Sequence, residues 1–470
     1  MAAALHSHGR DLTFGSVPRH LIAFSMPMML GNLIQAAYSF VNAVWVGKGL
    51  GEAEMGAITV TGAAMFALLA MALGITVGAG ILAAQFVGAR DTDGLRRVVQ
   101  TSTAFQVIAS LVVVIIGECL AAPLMRWMDT PANVLPLAIS YTRWLLLLTP
   151  FLFGTFLIGS LLRAVGDSKT PLYFQAGGLL LTVALDPVLM FGWLGCPRLG
   201  LNGTAIANIF TQGASMIALY AWLHRRRNVT APNWQRLTMD RHTLWLVLKV
   251  GVPSAAQQGL AAFGFLFITG IVNTYGASAT AALGAVMRID QMALLPALGF
   301  SVAVSMMAGQ NIGARRFDRV REVFRWGMAI SGGITLVGTV AVMSLPGLLL
   351  RAFLNDPEAI RIGTSYLMIV GAAYLCFSAM FVSNGIINGA GQTMVTTMVT
   401  VLALWIVRVP LALALSHHFH QVEFVWVASA TGLTVGMVAS LAYYYSGRWK
   451  RAVVPLKGTP QVPVEDIVVG

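Results

Sequence analysis

Charge is what this sequence has least of. Only 10% of its 470 residues are Asp, Glu, Lys or Arg, against 57% hydrophobic. A water-soluble domain carries roughly a quarter charged residues, and one core could not hide so much apolar surface from water in a chain of this length. The mean hydropathy of +0.76 points the same way. Those figures exclude a soluble protein and leave the lipid bilayer as the natural solvent.

Cysteine is scarce too. Cys119, Cys196 and Cys376 are too few and too dispersed for a disulfide framework or a metal cluster, and they read as small packing residues. HExxH and GxSxG are missing, as is any repeated histidine inside the apolar runs. His417, His418 and His420 cluster in what reads as a solvated loop. No catalytic constellation, resident metal or cofactor is therefore expected, and the chain is not expected to be an enzyme. The first twenty residues, with His6, His8, Arg10 and Asp11, lack the apolar stretch of a signal peptide, so no cleavage is expected. The final PLKGTPQVPVEDIVVG reads as a frayed tail.

What is present is a succession of long apolar runs. Twelve are long enough to cross a bilayer, which takes about 20 residues. They fall at 21–46, 55–83, 98–122, 137–162, 172–194, 203–223, 244–272, 280–308, 324–350, 363–387, 397–416 and 423–445. The net charge of +12 is unevenly placed. Arg10, Arg19, Arg90, Arg96, Arg97, Arg163, Lys169, Arg225 to Arg227, Arg236, Arg241, Arg315, Arg316, Arg319, Arg321 and Arg325 fall in alternate loops, and Arg448, Lys450, Arg451 and Lys457 follow in the tail. The opposite loops hold Lys48, Arg126, Arg198, Arg351 and Arg361. This bias predicts a multi-pass protein with both termini cytoplasmic, and it argues against nucleic acid as a partner.

The chain also repeats itself. GITVGAGILAAQFVGAR at 74–90 and GFSVAVSMMAGQNIGAR at 299–315 share Gly74/Gly299, Gln85/Gln310, Gly88/Gly313, Ala89/Ala314 and Arg90/Arg315 at an offset of 225. The same offset pairs Gly166 with Gly391, and nearby registers pair Pro27 with Pro253 and Pro187 with Pro410. Four matches in order predict a duplication. The fold class is therefore an all-α membrane protein: 12 transmembrane helices in two parallel-repeat six-helix bundles. Its expected parts are a cytoplasmic segment 1–20, an N-terminal bundle 21–223, a linker 224–243, a C-terminal bundle 244–446 and a tail 447–470. Two equal bundles facing one another make a cleft, and rocking them gives alternating access, which favours a transporter. The basic loops QFVGARDTDGLRRV and QNIGARRFDRVREV read as helix-terminating glycines followed by topogenic arginines.

Ionisable groups at depth cost about 2.5–3.5 kcal/mol on insertion scales, so each needs a reason. Asp186, Arg288, Asp290 and Arg408 lie well inside runs, while Glu118 and Arg143 lie nearer helix ends. Asp186 has no basic residue within a helical turn, and Pro187 is expected to break the helix there, since it removes a backbone donor and frees the carbonyl of Val183. A carboxyl beside a freed carbonyl is a plausible cation or proton site, and Thr182 shares its face. The other reading is a structural pair with an arginine such as Arg408. Asp290 and Arg288 are two residues apart and cannot pair with each other. They either face the cleft as substrate contacts or bridge to neighbouring helices. Gln35, Tyr38 and Asn42 form a polar stripe on the first run that serves either as a binding surface or as glue between helices.

The strings MPMMLGNLIQAAYSFVNAVWVGK, GITVGAGILAAQFVGARD, LLRAVGDSKTP, LDPVLMFGWLG and GLNGTAIAN together resemble the multidrug and toxic compound extrusion (MATE) family, closest to its DinF-like prokaryotic branch. The resemblance runs from about residue 18 to residue 446. It implies a V-shaped pair of six-helix bundles in a prokaryotic inner (plasma) membrane, working as a monomer. It also implies export of drugs or other amphipathic, often cationic, organic compounds in exchange for H+ or Na+. Tyr38 and Asp186 match the branch's first- and fifth-span positions. Asn42 stands where relatives carry an acid, and an amide cannot take up a proton. The supporting polar positions fall on Thr182 and Thr204. The seventh and tenth spans, which bear carboxylates in the NorM-like branch, have Gln257, Gln258 and no acid here. A lipid-linked saccharide flippase of related shape is the alternative, disfavoured because only Arg288 and Arg408 lie at depth.

Overall fold

A computed structural model describes residues 10–450. The expected N-terminal segment up to residue 9 and the tail from residue 451 lie outside the described residues. The first half consists of α1 (Val17–Gly49), α2 (Glu52–Gly88), α3 (Thr92–Trp127), α4 (Leu135–Ala164), α5 (Lys169–Phe191) and α6 (Leu201–Arg225). The second contains α7 (Arg241–Asn273), α8 (Ala277–Gly313), α9 (Phe317–Ser344), the short α10 (Pro346–Arg351), α11 (Pro357–Ala372), α12 (Tyr374–Gly389), α13 (Thr393–Thr400), a π-helical stretch (Val401–Arg408), α14 (Val409–Phe419) and α15 (Glu423–Tyr445). Every described element is helical, as expected where no water satisfies exposed backbone groups.

Among the described residues, eleven helical spans are long and apolar enough to cross a membrane, and α11 with α12 makes a twelfth bent by 44°. The tenth run, expected as one helix over 363–387, is this bent pair, broken at Ala373 beside Gly371. A glycine-containing stretch is a common seat of such a kink. Prolines do not break the other spans: α5 runs unbroken through Pro187, correcting the expected helix break there. The span from Thr393 to Phe419 accommodates Pro410 differently. Its turns widen to π geometry just before the proline, which lacks the N–H that would bond the carbonyl of Ile406. His417 and His418 sit in the last turn of α14, rather than in the expected loop, and His420 is its left-handed cap.

Packing divides the molecule by depth. At the end carrying the basic loops one apolar core draws on both halves, from Leu12, Leu21, Ile75, Leu82 and Leu161 to Val247, Phe300, Met307, Val320 and Ile386. At the other end the halves have separate cores. One gathers Val46, Ala57, Met125, Tyr141, Met190 and Leu201 from the first half; the other gathers Ile268, Val286, Tyr366, Val409 and Trp426 from the second. The result is a V, joined at the basic end.

One close-packed seam is α2 against α7. A Cβ on Gly74 would lie 2.4 Å from the backbone nitrogen of Ala255, and one on Gly78 would lie 2.5 Å from the carbonyl oxygen of Val247. The repeat-related seam, α8 on α1, has Gly299 against the Met29 side chain. There Ala303 and Ser25 stand at the positions of Gly78 and Gly251. The larger residues explain why the second seam is looser.

Candidate functional site

Asp186 lies five residues before the end of α5, with α1 and α6 packed alongside. It is 1% exposed, and one carboxylate oxygen, Oδ1, has no hydrogen-bond partner. The polar side chain facing it from α1 is Tyr38. Among the described residues no arginine or lysine pairs with it.

The Tyr38 hydroxyl organises this pocket. It accepts from Asn42 Nδ2 at 3.1 Å and from Asn208 Nδ2 of α6 at 2.8 Å. Two amide donors occupy its acceptor sites, so its single proton is left for Asp186. Asn208 is itself anchored to the Thr204 carbonyl at 2.9 Å. Thr204 is fully buried, its hydroxyl donating to the Leu201 carbonyl at 3.1 Å, and Tyr141 of α4 lies beside it and faces Asp186. Four helices thus converge on one carboxyl. An ionised carboxylate with a bare oxygen is costly in such surroundings unless a cation joins it. The arrangement can hold a charge that a small ion controls.

The structure brings Tyr38, Asn42, Thr204 and Asp186 together. Thr182 is buried one turn before Asp186 but turns to other partners, donating to the Gly178 carbonyl at 2.8 Å and meeting Thr211 Oγ1 at 2.7 Å. It ties α5 to α6 and does not reach the carboxyl as the sequence suggested. Gln35 is exposed, a turn from Tyr38. Asn208 and Tyr141 were missed. Asn208 follows Thr204 by one helical turn within GLNGTAIAN, a signal that was available. Tyr141 stands in a long apolar span with nothing in sequence to mark it.

In the second half Asp290 and Arg288 point apart, as their spacing implied, and lie in different surroundings. The oxygens of Asp290 accept from the hydroxyls of Tyr366 and Tyr374, with Arg408 as the nearby cation. The bend between α11 and α12 carries both tyrosines to it. Arg408 Nε donates to Ser429 Oγ at 3.0 Å. Arg288 is exposed, its guanidinium 5.8 Å from the Phe353 ring centre. The physical reason is the helical geometry: side chains two apart diverge by about 200°. Gln257 joins α7 to α13 through Thr400 Oγ1 at 3.0 Å. Glu118 and Arg143 pair with each other across α3 and α4 at 3.5 Å. Among the described residues no group of three or more His, Cys, Asp or Glu is placed to hold a metal ion.

Two helical lobes joined at one end, with a buried carboxyl in one of them, are the frame of a membrane transporter. The chain belongs to the MatE family, whose profile matches residues 27–188 and again 253–414, one copy per half. It is 32% identical over 441 residues to "Probable multidrug resistance protein YoeA" of Bacillus subtilis, covering 93% of this chain and 95% of that protein. It is 31% identical over 450 residues to "Probable multidrug resistance protein YpnP" of the same organism, covering 94% and 97%. A solved structure described as the outward-facing conformation of a multidrug resistance MATE family transporter superposes with a TM-score of 0.85 at 23% identity, over 94% of this chain and 97% of that one.

Proposed function

We propose that the protein is a secondary antiporter of the inner membrane that exports amphipathic, often cationic, organic compounds in exchange for H+ or Na+. Asp186 is the coupling carboxyl. The observation that carries this reading is its isolation: fully buried, with one oxygen unpartnered, no cation beside it among the described residues and the Tyr38 hydroxyl facing it. A proton would neutralise it directly. Na+ would use the bare oxygen together with the side-chain oxygens of Asn42 and Asn208, whose amide nitrogens are spent on Tyr38. Occupation by either ion changes what the Tyr38 proton bonds to. That change passes to α1 and α6 and alters the lobe in which the drug binds.

With the basic loops on the cytoplasmic side, the V opens towards the outside, a release state for substrate and an entry state for the ion. The flippase alternative finds less support. A pyrophosphate-bearing substrate needs a basic cavity, whereas Arg408 is engaged by Ser429 near Asp290 and Arg288 lies over Phe353.

The test is efflux of a cationic dye from proteoliposomes with a pH gradient and a Na+ gradient imposed separately. One gradient is expected to drive efflux and the other to leave it unchanged. Equal, gradient-independent equilibration under both would reject antiport.

A further inference from the structure

The basic end contains a polar arrangement that the coupling site does not use. Gln85 near the end of α2 and Gln310 near the end of α8 are both fully buried. They are repeat equivalents, 225 residues apart. Gln85 Nε2 donates across the lobe interface to the carbonyl of Gly389, the last residue of α12, at 2.9 Å. Gln310 Nε2 donates the other way, to the carbonyl of Ala164, the last residue of α4, at 2.7 Å. The acceptors are again 225 apart. One hydrogen bond therefore occurs twice, related by the pseudo-twofold axis between the lobes.

The backbones beside these bonds touch. A Cβ on Gly88 would lie 1.8 Å from the Gln310 carbonyl oxygen, and one on Gly313 would lie 2.0 Å from that of Gln85. Neither glycine turns the chain, contrary to what the sequence suggested: the left-handed residues are Arg90 at φ 56° and Arg315 at φ 57°. Gly88 and Gly313 are there because the two helix ends could not otherwise approach closely enough for the glutamines to reach.

The pair departs from symmetry in one respect. Gln310 Oε1 accepts the backbone N–H of Leu12 at 3.0 Å, and Asn311 Nδ2 donates to the Leu12 carbonyl at 3.3 Å. Arg316 Nη1 reaches the Thr13 carbonyl at 2.8 Å, and its guanidinium lies 3.9 Å from the Phe14 ring centre. The segment ahead of α1 is thus strapped to the opposite lobe. Gln85 Oε1 is buried without a partner among the described residues.

We propose that Gln85 and Gln310 are the latch of the basic end, a symmetric pair of interlobe hydrogen bonds that must break together for the cleft to open there. The inference rests on the alternating-access reading above and names the contacts that time it. A rocking of the two lobes that preserves the pseudo-twofold axis lengthens both bonds at once, so opening is a single step. The unpaired oxygen of Gln85 works against closure, because a buried acceptor without a donor regains water on opening. Gln310, with two cross-lobe bonds, is the stronger half and Gln85 the weaker.

The experiment measures spin-label distances across the basic end in the full-length protein in liposomes. Labels go on cysteines replacing Asp93 and Asp318, exposed repeat equivalents, with Cys119, Cys196 and Cys376 replaced by alanine. The unmodified latch is expected to give one short distance. Each interlobe bond lost should raise the open-to-closed ratio about fivefold. Gln310→Leu should therefore shift the population further than Gln85→Leu, and the double variant furthest. Gln310→Asn, which keeps polarity but shortens the reach, provides the comparison if the leucine variants do not fold. Gly313→Ala should open the end by driving a methyl into the Gln85 carbonyl. An unchanged distance distribution in folded Gln310 variants and in Gly313→Ala, or an effect on yield alone, would overturn the latch. The readout needs neither substrate nor gradient. Failure here leaves the antiport reading standing, and failure of gradient-driven efflux leaves the distances standing.

Discussion

Asp186, fully buried, and Asp290, half-buried, are carboxyls in opposite circumstances. Asp290 has both oxygens engaged by Tyr366 and Tyr374 and a guanidinium nearby, so its charge is fully answered by the protein itself. Asp186 has one bare oxygen and, among the described residues, no cation paired with it, which is why the proposed function gives it the exchangeable ion. On this contrast Asp290 is expected to hold the second lobe together. Asp290→Ala would leave the hydroxyls of Tyr366 and Tyr374 without their acceptor, and a buried donor left unsatisfied costs about 1–3 kcal/mol. A clear drop in thermal stability in detergent is expected. Unchanged melting with lost substrate binding would return Asp290 to the cleft. Sequence alone left this open, because the tyrosines are 76 and 84 residues away and only the bent tenth span brings them in.

Among the elements, α2 carries the most constraint. It contributes to the shared core, to the seam with α7 and to the latch, and its glycines are placed accordingly. Gly78→Leu would force a side chain where even a Cβ lies 2.5 Å from a backbone oxygen. Overpacking typically costs 1–3 kcal/mol, and lower thermal stability is expected. Gly62→Ala, on the same helix with nothing within 4 Å of its Cβ, should melt like the parent. Equal melting of both variants would show that the seam is not close-packed in the membrane. Glycine in an apolar run is legible in sequence, but which glycine meets another backbone is not. The same holds for the prolines: Pro187 leaves a continuous α-helix, while Pro410 comes with a π-helical stretch. Neighbouring helices decide between those outcomes.

At the scale of the whole molecule the duplication was readable, because the Gly-Gln-Gly-Ala-Arg spacing is preserved at 225 residues and apolar runs mark the spans directly. The site was readable only in outline. An acid in an apolar run announces itself, and Asp186 did. The groups that complete it, Asn208 and Tyr141, are ordinary in sequence and acquire a role only when α4 and α6 pack beside α5. Thr182 shows the converse: correct spacing on the helix, but its hydroxyl spent on Thr211.

Gradient-driven transport by Asp186→Asn in proteoliposomes, measured beside substrate–substrate exchange by the same protein, tests the central claim most directly. The expected result is loss of accumulation against a gradient while exchange persists, since the lobes can still rock but no ion can be exchanged for the drug. Accumulation at the parental level by the folded variant would contradict it.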